Sequence, residues 1–235
     1  MPAYPSAYVE YDFQNPATYS GSGNTVYDLQ SNVNLEVISG AWVSGSPNYW
    51  DLNSTTELRN TNPGAGFAST VFTVNCWYYY DTPIAAYSSV WGIGLDGLGT
   101  MPVLSVPQVG NSNIQWSFGQ GFIDAGVVSG WNLFTFWSNA TDTELYLNGA
   151  FVNTVNFVGS ISSPYTIRLG CASNSSNAAY QPAEGRLGAW SYYNTALTAG
   201  NISDIYDAQA GQYGLGPGPY QGRVGGRQFN QGFNG

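Results

Sequence analysis

Residues 143–155 read TELYLNGAFVNTV. Apolar and polar residues alternate on both sides of Asn148-Gly149, the dipeptide that supplies positive φ at both central positions of a type I′ turn, so a two-residue β-hairpin is predicted. Outward from it the same pattern repeats. Short runs rich in Val, Ile, Thr, Tyr, Phe and Trp, such as AYVEYDF (7–13), STVFTVNCWYYYD (69–81), NIQWSFG (113–119), GWNLFTFWS (130–138), YTIRLGC (165–171) and GRLGAWSYY (185–193), lie between clusters of Gly, Pro, Asn and Ser. An all-β architecture of antiparallel strands is the expectation. At 235 residues the chain suits one domain with a sizeable core.

Alternation also assigns faces. In FTVNCWYYY, Phe72, Val74, Cys76 and Tyr78 share one side, and Thr73, Asn75, Trp77 and Tyr79 the other. The first set is core. The second mixes polar groups with large aromatics, so that face either meets a ligand or lies beneath another layer. Trp77, Tyr79 and, on a neighbouring strand, Trp137 are therefore the candidate ligand-binding residues, because exposed rings stack on sugars; rings of this kind equally fill a covering layer or a subunit interface.

One helix is expected. After GRLGAWSYY, Thr198 suits an N-cap, Ile202, Ile205 and Tyr206 recur at helical spacing, and Gly211 suits the end. A helix this short persists only when packed, so it is predicted to lie against the sandwich and cover an open end of the core. From Gln212 the composition turns to Gly, Pro, Gln and Asn, which divides the chain into an N-terminal arm (1–7), a β-sandwich domain (8–211) and a tail (212–235). Tyr220, Arg223, Arg227, Phe229 and Phe233 punctuate that tail. Such a segment is disordered when free, so these residues are assigned to packing on a neighbouring subunit.

Charge narrows the function. Charged residues are 8% of the chain, against about 25% in ordinary soluble domains. The formal charge is -9, with five arginines, no lysine and no histidine, so nucleic acid is not an expected partner. Without histidine the usual general base, imidazole ligand and serine-hydrolase triad are missing. No run approaches the ~18 apolar residues of a membrane span, and the N-terminus lacks the basic-then-apolar pattern of a secretory signal, so neither membrane insertion nor secretion is expected. Cys76 and Cys171 lack metal-cluster spacing; two buried thiols or a cross-sheet disulfide both fit. Asn-x-Ser/Thr sites at Asn53, Asn139, Asn174 and Asn201 arise by chance in a chain so rich in these residues.

Taken in order, FTVNCWYYYDT, GWNLFTFWSNATDTELYLNGAFVNTV, YTIRLGCASN and EGRLGAWSYYNTALTAGNISDIYDA resemble successive motifs of the laminin-G-like domains, which belong to the concanavalin A-like lectin and glucanase fold. Trp131 and Leu145 to Gly149 match most closely, joined by Tyr193, Asn194, Ala196 and Leu197 in the last motif. Asn201 stands where the family usually has Glu, which implies a weakened capping box. The resemblance implies a two-sheet antiparallel jelly-roll sandwich over about residues 8–210, with one short C-terminal helix and an extended tail. The stretch IYDAQAGQYGL (205–215) is similar to copies of this module in structural proteins of phages and large DNA viruses.

Glucanases of this fold carry alternating carboxylates on one strand. Here Glu10 with Asp12, and Asp142 with Glu144, are pairs without a third acid, so no catalytic residue is assigned and the chain is expected not to be an enzyme, glycoside hydrolases included. Some laminin-G-like domains hold calcium through loop aspartates and carbonyls; Asp96 and Asp124 fall in predicted loops, but an ordinary turn aspartate accounts for each, so no metal ligand or cofactor is assigned. The resulting expectation is a structural protein of a virion or other large assembly, as capsid decoration, fibre or tail component, with a glycan-binding attachment role. The alternative is a lectin-like adhesion module. Partners would be further copies of the chain, other structural proteins of the assembly and a host surface glycan, and the location the virion, after synthesis in the host cytoplasm.

Overall fold

The structure is a computed structural model that describes residues 4–80, 88–95, 102–106, 113–118, 121–126, 129–156, 161 and 165–217. Its strands are β1 (Val9–Asp12), β2 (Thr25–Val26), β3 (Leu35–Ser39), β4 (Ala41–Val43), β5 (Tyr49–Leu52), β6 (Glu57–Asn60), β7 (Val71–Tyr80), β8 (Ser88–Ile93), β9 (Val103–Val106), β10 (Asn113–Phe118), β11 (Gly121–Gly126), β12 (Gly130–Asn139), β13 (Thr143–Leu147), β14 (Ala150–Val155), β15 (Ile167–Leu169), β16 (Ala172–Ser173), β17 (Ala179–Tyr180) and β18 (Gly185–Tyr193). The expected all-β sandwich is what these strands build.

A front sheet runs β14-β13-β12-β7-β18-β5-β4, with β1 paired to β18 beyond the end of β5. A back sheet runs β11-β10-β9-β8-β15-β6-β3-β2. The ladders in both sheets are antiparallel. The hairpin at Asn148-Gly149 forms as predicted, with φ of 51° and 79°, because only residues tolerant of the left-handed region close a two-residue turn between strands twisted this way. Its tip is anchored: Asn148 Oδ1 accepts a 2.8 Å bond from the Leu133 backbone N–H.

The inward residues of β7 are the predicted ones, and Phe72, Val74, Cys76 and Tyr78 join Trp91, Leu104 and Ile167 of the back sheet in one core. Burying each large side chain there contributes about 1.5–3 kcal/mol. Cys76 and Cys171 are both buried free thiols.

The helix α1 (Ala199–Gln209) begins where expected. The Asn201 backbone N–H donates to Thr198 Oγ1 at 3.1 Å, and the Thr198 N–H donates to Asn201 Oδ1 at 3.3 Å, so an amide completes the box expected to be weakened by the loss of Glu. Two expectations are corrected. Gly211 does not end the helix; a 3-10 turn, Ala210–Tyr213, continues it and Gly214 at φ 72° stops it. Nor does the helix plug an open end of the core. It lies across the outward face of the front sheet, where Ile202, Ile205, Tyr206 and Tyr213 pack on Trp77, Leu133 and Tyr146 as a second apolar cluster. That outward face is apolar at its centre, so an amphipathic helix gains more by covering it than by capping an edge.

Ala7 and Tyr213 both belong to this cluster, so the packed body takes in residues that the sequence divides between arm and tail. Tyr220, Arg223, Arg227, Phe229, Phe233 and Asp96 lie outside the described residues. Asp124 is in strand β11 opposite Gln115, not in a loop. Among the described residues no helix is long and apolar enough to cross a membrane.

Candidate functional site

The three aromatic candidates meet different fates. Trp77 is 1% exposed. Tyr213 stacks on it at 4.2 Å and Tyr206 at 5.8 Å, and its indole N–H donates to Gln209 Oε1 at 2.7 Å, so the covering layer takes the whole ring and leaves no platform for a ligand. Trp137 is half-buried against the same layer, its indole N–H donating to the Leu197 carbonyl at 2.7 Å. Only Trp77 is thereby removed as a candidate; both sets of contacts share one cause, the chain after β18 folding back over β7 and β12. Tyr79, also half-buried, stands just outside that cover.

Around Tyr79 the sheet assembles a cluster that simple alternation does not reveal. Counted by twos, GRLGAWSYY places Arg186 on the side of Trp190 and Tyr192, which face the core. A bulge between Leu187 and Ala189 shifts the register, so Gly188 is the extra residue and Arg186 emerges on the outer face opposite Tyr79. There its guanidinium lies over the Tyr79 ring at 4.3 Å and over the Tyr49 ring at 5.1 Å. Trp131, paired with Tyr79 across β12 and β7, stands edge-on to Tyr79 at 5.4 Å and to Tyr49 at 6.3 Å. Tyr213 supports the other side of Trp131 at 4.8 Å. Gly188 makes room for this support, since an added Cβ would sit 2.7 Å from Tyr213 Oη and 2.9 Å from Trp131 Cζ3.

Tyr49, Tyr79, Trp131 and Arg186 thus form a half-exposed aromatic platform with one cation on it. Of these, only Tyr79 was singled out for ligand contact by the sequence, and Trp131 only through its motif. A glycine inside a strand was the available signal for the bulge.

The paired acids are also placed. Glu10 and Asp12 project from β1 into a cleft of about 10 Å³ lined by Asn75, Trp77, Ser191 and Gln209, room for a single water. Burial raises the pKa of each carboxyl; for Glu10 the bond donated by Gln30 works against the shift, while Asp12 and Asp28 add to it, and for Asp12 the Gln14 N–H opposes it. Glu144 accepts a 2.6 Å bond from the Tyr146 hydroxyl, and Asp142 helps close the turn before β13 with Asn139. Side chains of Asn53, Asn139, Asn174 and Asn201 accept backbone N–H bonds in turns or at the helix cap.

A shallower concavity of about 370 Å³ is lined by Ala17, Tyr27, Asp28, Leu29, Ser31 and Asn34. Its acid is committed to the fold: Asp28 accepts backbone N–H bonds from Glu10, Gln30, Asn32 and Val33. Among the described residues no group of three His, Cys, Asp or Glu side chains is arranged to hold a metal.

No protein-family model and no curated protein matches the chain. Solved structures do. Trypanosoma rangeli sialidase in complex with sialic acid is 13% identical with a TM-score of 0.64, over 87% of this chain and 33% of the sialidase. The botulinum neurotoxin type G receptor binding domain is 12% identical with a TM-score of 0.59, over 87% of this chain and 52% of that one. The binding domain of botulinum neurotoxin serotype D is 14% identical with a TM-score of 0.63, over 87% and 52% respectively. The chain therefore spans about a third of the sialidase and half of each toxin domain, and what it shares with them is the fold. These likenesses correct the expectation that the chain is not an enzyme. That expectation rested on the missing run of alternating acids, yet the same architecture forms part of sialidases, which are enzymes.

Proposed function

We propose that this chain is a saccharide- and receptor-contacting β-sandwich of the laminin-G-like, concanavalin A-like kind, acting as a structural component of a virion or comparable assembly. The observation that carries the contact role is the half-exposed platform of Tyr49, Tyr79 and Trp131, rings braced on one another and left partly open by the described residues that bury Trp77 and Tyr146 on the same face. Exposed, mutually braced rings present flat apolar surface at little entropic cost, which suits the C–H face of a sugar. A sialidase solved with sialic acid, a third of which shares this fold, and a toxin receptor binding domain that shares it over half its length favour the reading. The ordered motifs from FTVNCWYYYDT to the last helix support the family assignment, and the Gly/Pro/Gln-rich tail supports assembly with other copies and other structural proteins.

Two measurements test this. The full chain is applied to a glycan array alongside Trp131→Ala; the parent should retain a set of saccharides that the variant loses while keeping its melting temperature. Binding that survives Trp131→Ala, or no saccharide binding at all, refutes the contact role. For assembly, the chain cut after Gly216, which keeps Tyr213 on Trp77, is compared with the full chain by native mass. An oligomer that persists without the tail refutes the tail's part in it.

A further inference from the structure

We infer that this platform selects carboxylated saccharides, with Arg186 as the group that recognises the acid; the inference rests on the saccharide-contact reading above and names its ligand class. The chain's cations are few, five arginines against fourteen acids. Of the three described, Arg59 pairs with Glu36 and Glu57, and Arg168, fully buried, pairs with Glu57. Arg186 behaves otherwise. Asp51 is its cross-strand partner, yet among the described residues the Arg186 side chain makes neither an ion pair nor a hydrogen bond.

Its contacts are instead the faces of Tyr79 and Tyr49. Such contacts orient the guanidinium through its plane and use none of its N–H donors, which stay available for a carboxylate in the two-pronged geometry that arginine favours. On a body of formal charge -9, a cation held without an acidic partner among the described residues marks a place where an anion is welcomed. A sugar acid matches both halves of the site, its C–H face on the rings of Trp131 and the tyrosines and its carboxylate on Arg186. A neutral glycan leaves the guanidinium with hydroxyl acceptors only. An acidic peptide offers carboxylates but no rigid apolar face for the rings.

The test is calorimetric titration of the full chain with two matched pairs: sialyllactose with its methyl ester, and a β-1,4-glucuronate tetramer with cellotetraose. The acid of at least one pair should bind about tenfold more tightly than its neutral counterpart, the scale of one charge-assisted bond. Arg186→Gln should abolish that preference, leaving the acid no tighter than its neutral counterpart, and Arg186→Lys should restore it only in part, because an ammonium lacks the fork. Equal affinities within both pairs, a preference that survives Arg186→Gln, or tighter binding of a polyglutamate peptide than of either acid would overturn the inference. If neither pair binds at all, the contact reading itself falls, an outcome distinct from neutral binding without acid preference.

Discussion

Trp77 and Trp131 stand on the same outward face of the front sheet, on adjacent strands, Trp77 opposite Leu133 and Trp131 opposite Tyr79. Tyr213 touches both. One ring is sealed between sheet and helix with its N–H satisfied by Gln209; the other is half-exposed and braces two tyrosines that carry an arginine on their faces. Composition cannot tell such rings apart. What separates them is the reach of residues 194–217 after β18, which cover the centre of the sheet and leave the Tyr79 end half-exposed. A large aromatic on a sheet face is a contact residue only where no later part of the chain returns to cover it.

Substitutions can break that comparison. The largest effect is expected from Trp77→Ala, which empties a filled site and should cost about 3–5 kcal/mol in urea unfolding. Saccharide binding by the fraction that remains folded should be retained, whereas Trp131→Ala should do the reverse. Gly188→Ala ties the halves together, since its Cβ would press on Tyr213 and Trp131 at once. It should cost about 1–3 kcal/mol and also weaken saccharide binding. A loss confined to stability would mean that Trp131 tolerates the shift and that the halves are independent.

Thr198→Ala removes the helix cap and should cost about 1 kcal/mol, loosening the cover without touching Arg186; thermal melts and saccharide titration of the same sample separate the two. The smallest effect concerns pH. Glu10 and Asp12 have raised pKa values because burial disfavours their charge, so the native state holds their protons more tightly than the unfolded chain. Their contribution is therefore greatest in acid and is lost as pH rises from the ordinary carboxylate range through the raised native values. Glu10→Gln cannot ionise, so its stability relative to the parent should improve across that window in paired urea titrations. A flat difference would show that the cleft is open to water.

Much of the scaffold was legible because alternation and turn chemistry are local. The hairpin at Asn148-Gly149, the inward set of β7 and the Thr198 cap each depend on residues a few positions apart. The platform was not legible, for two physical reasons. One extra residue at Gly188 inverts the parity of Arg186, and a glycine can mark a bulge, a bend or a close approach alike. The burial of Trp77 depends on partners at Tyr206, Gln209 and Tyr213, remote in sequence and on an element whose docking face is set by the sheet it meets. The Asn201 cap was underestimated because an amide oxygen reaches the same N–H as a carboxylate.

The pairing of β1 with β18 sets Val9 against Tyr192, the earliest strand of the fold beside its latest. The first and the last of the described strands must therefore find each other before the front sheet is complete, and the entropy of closing so long a loop is spent before the interior repays it. Refolding should be correspondingly slow, and an isolated N-terminal half should have no stable structure of its own.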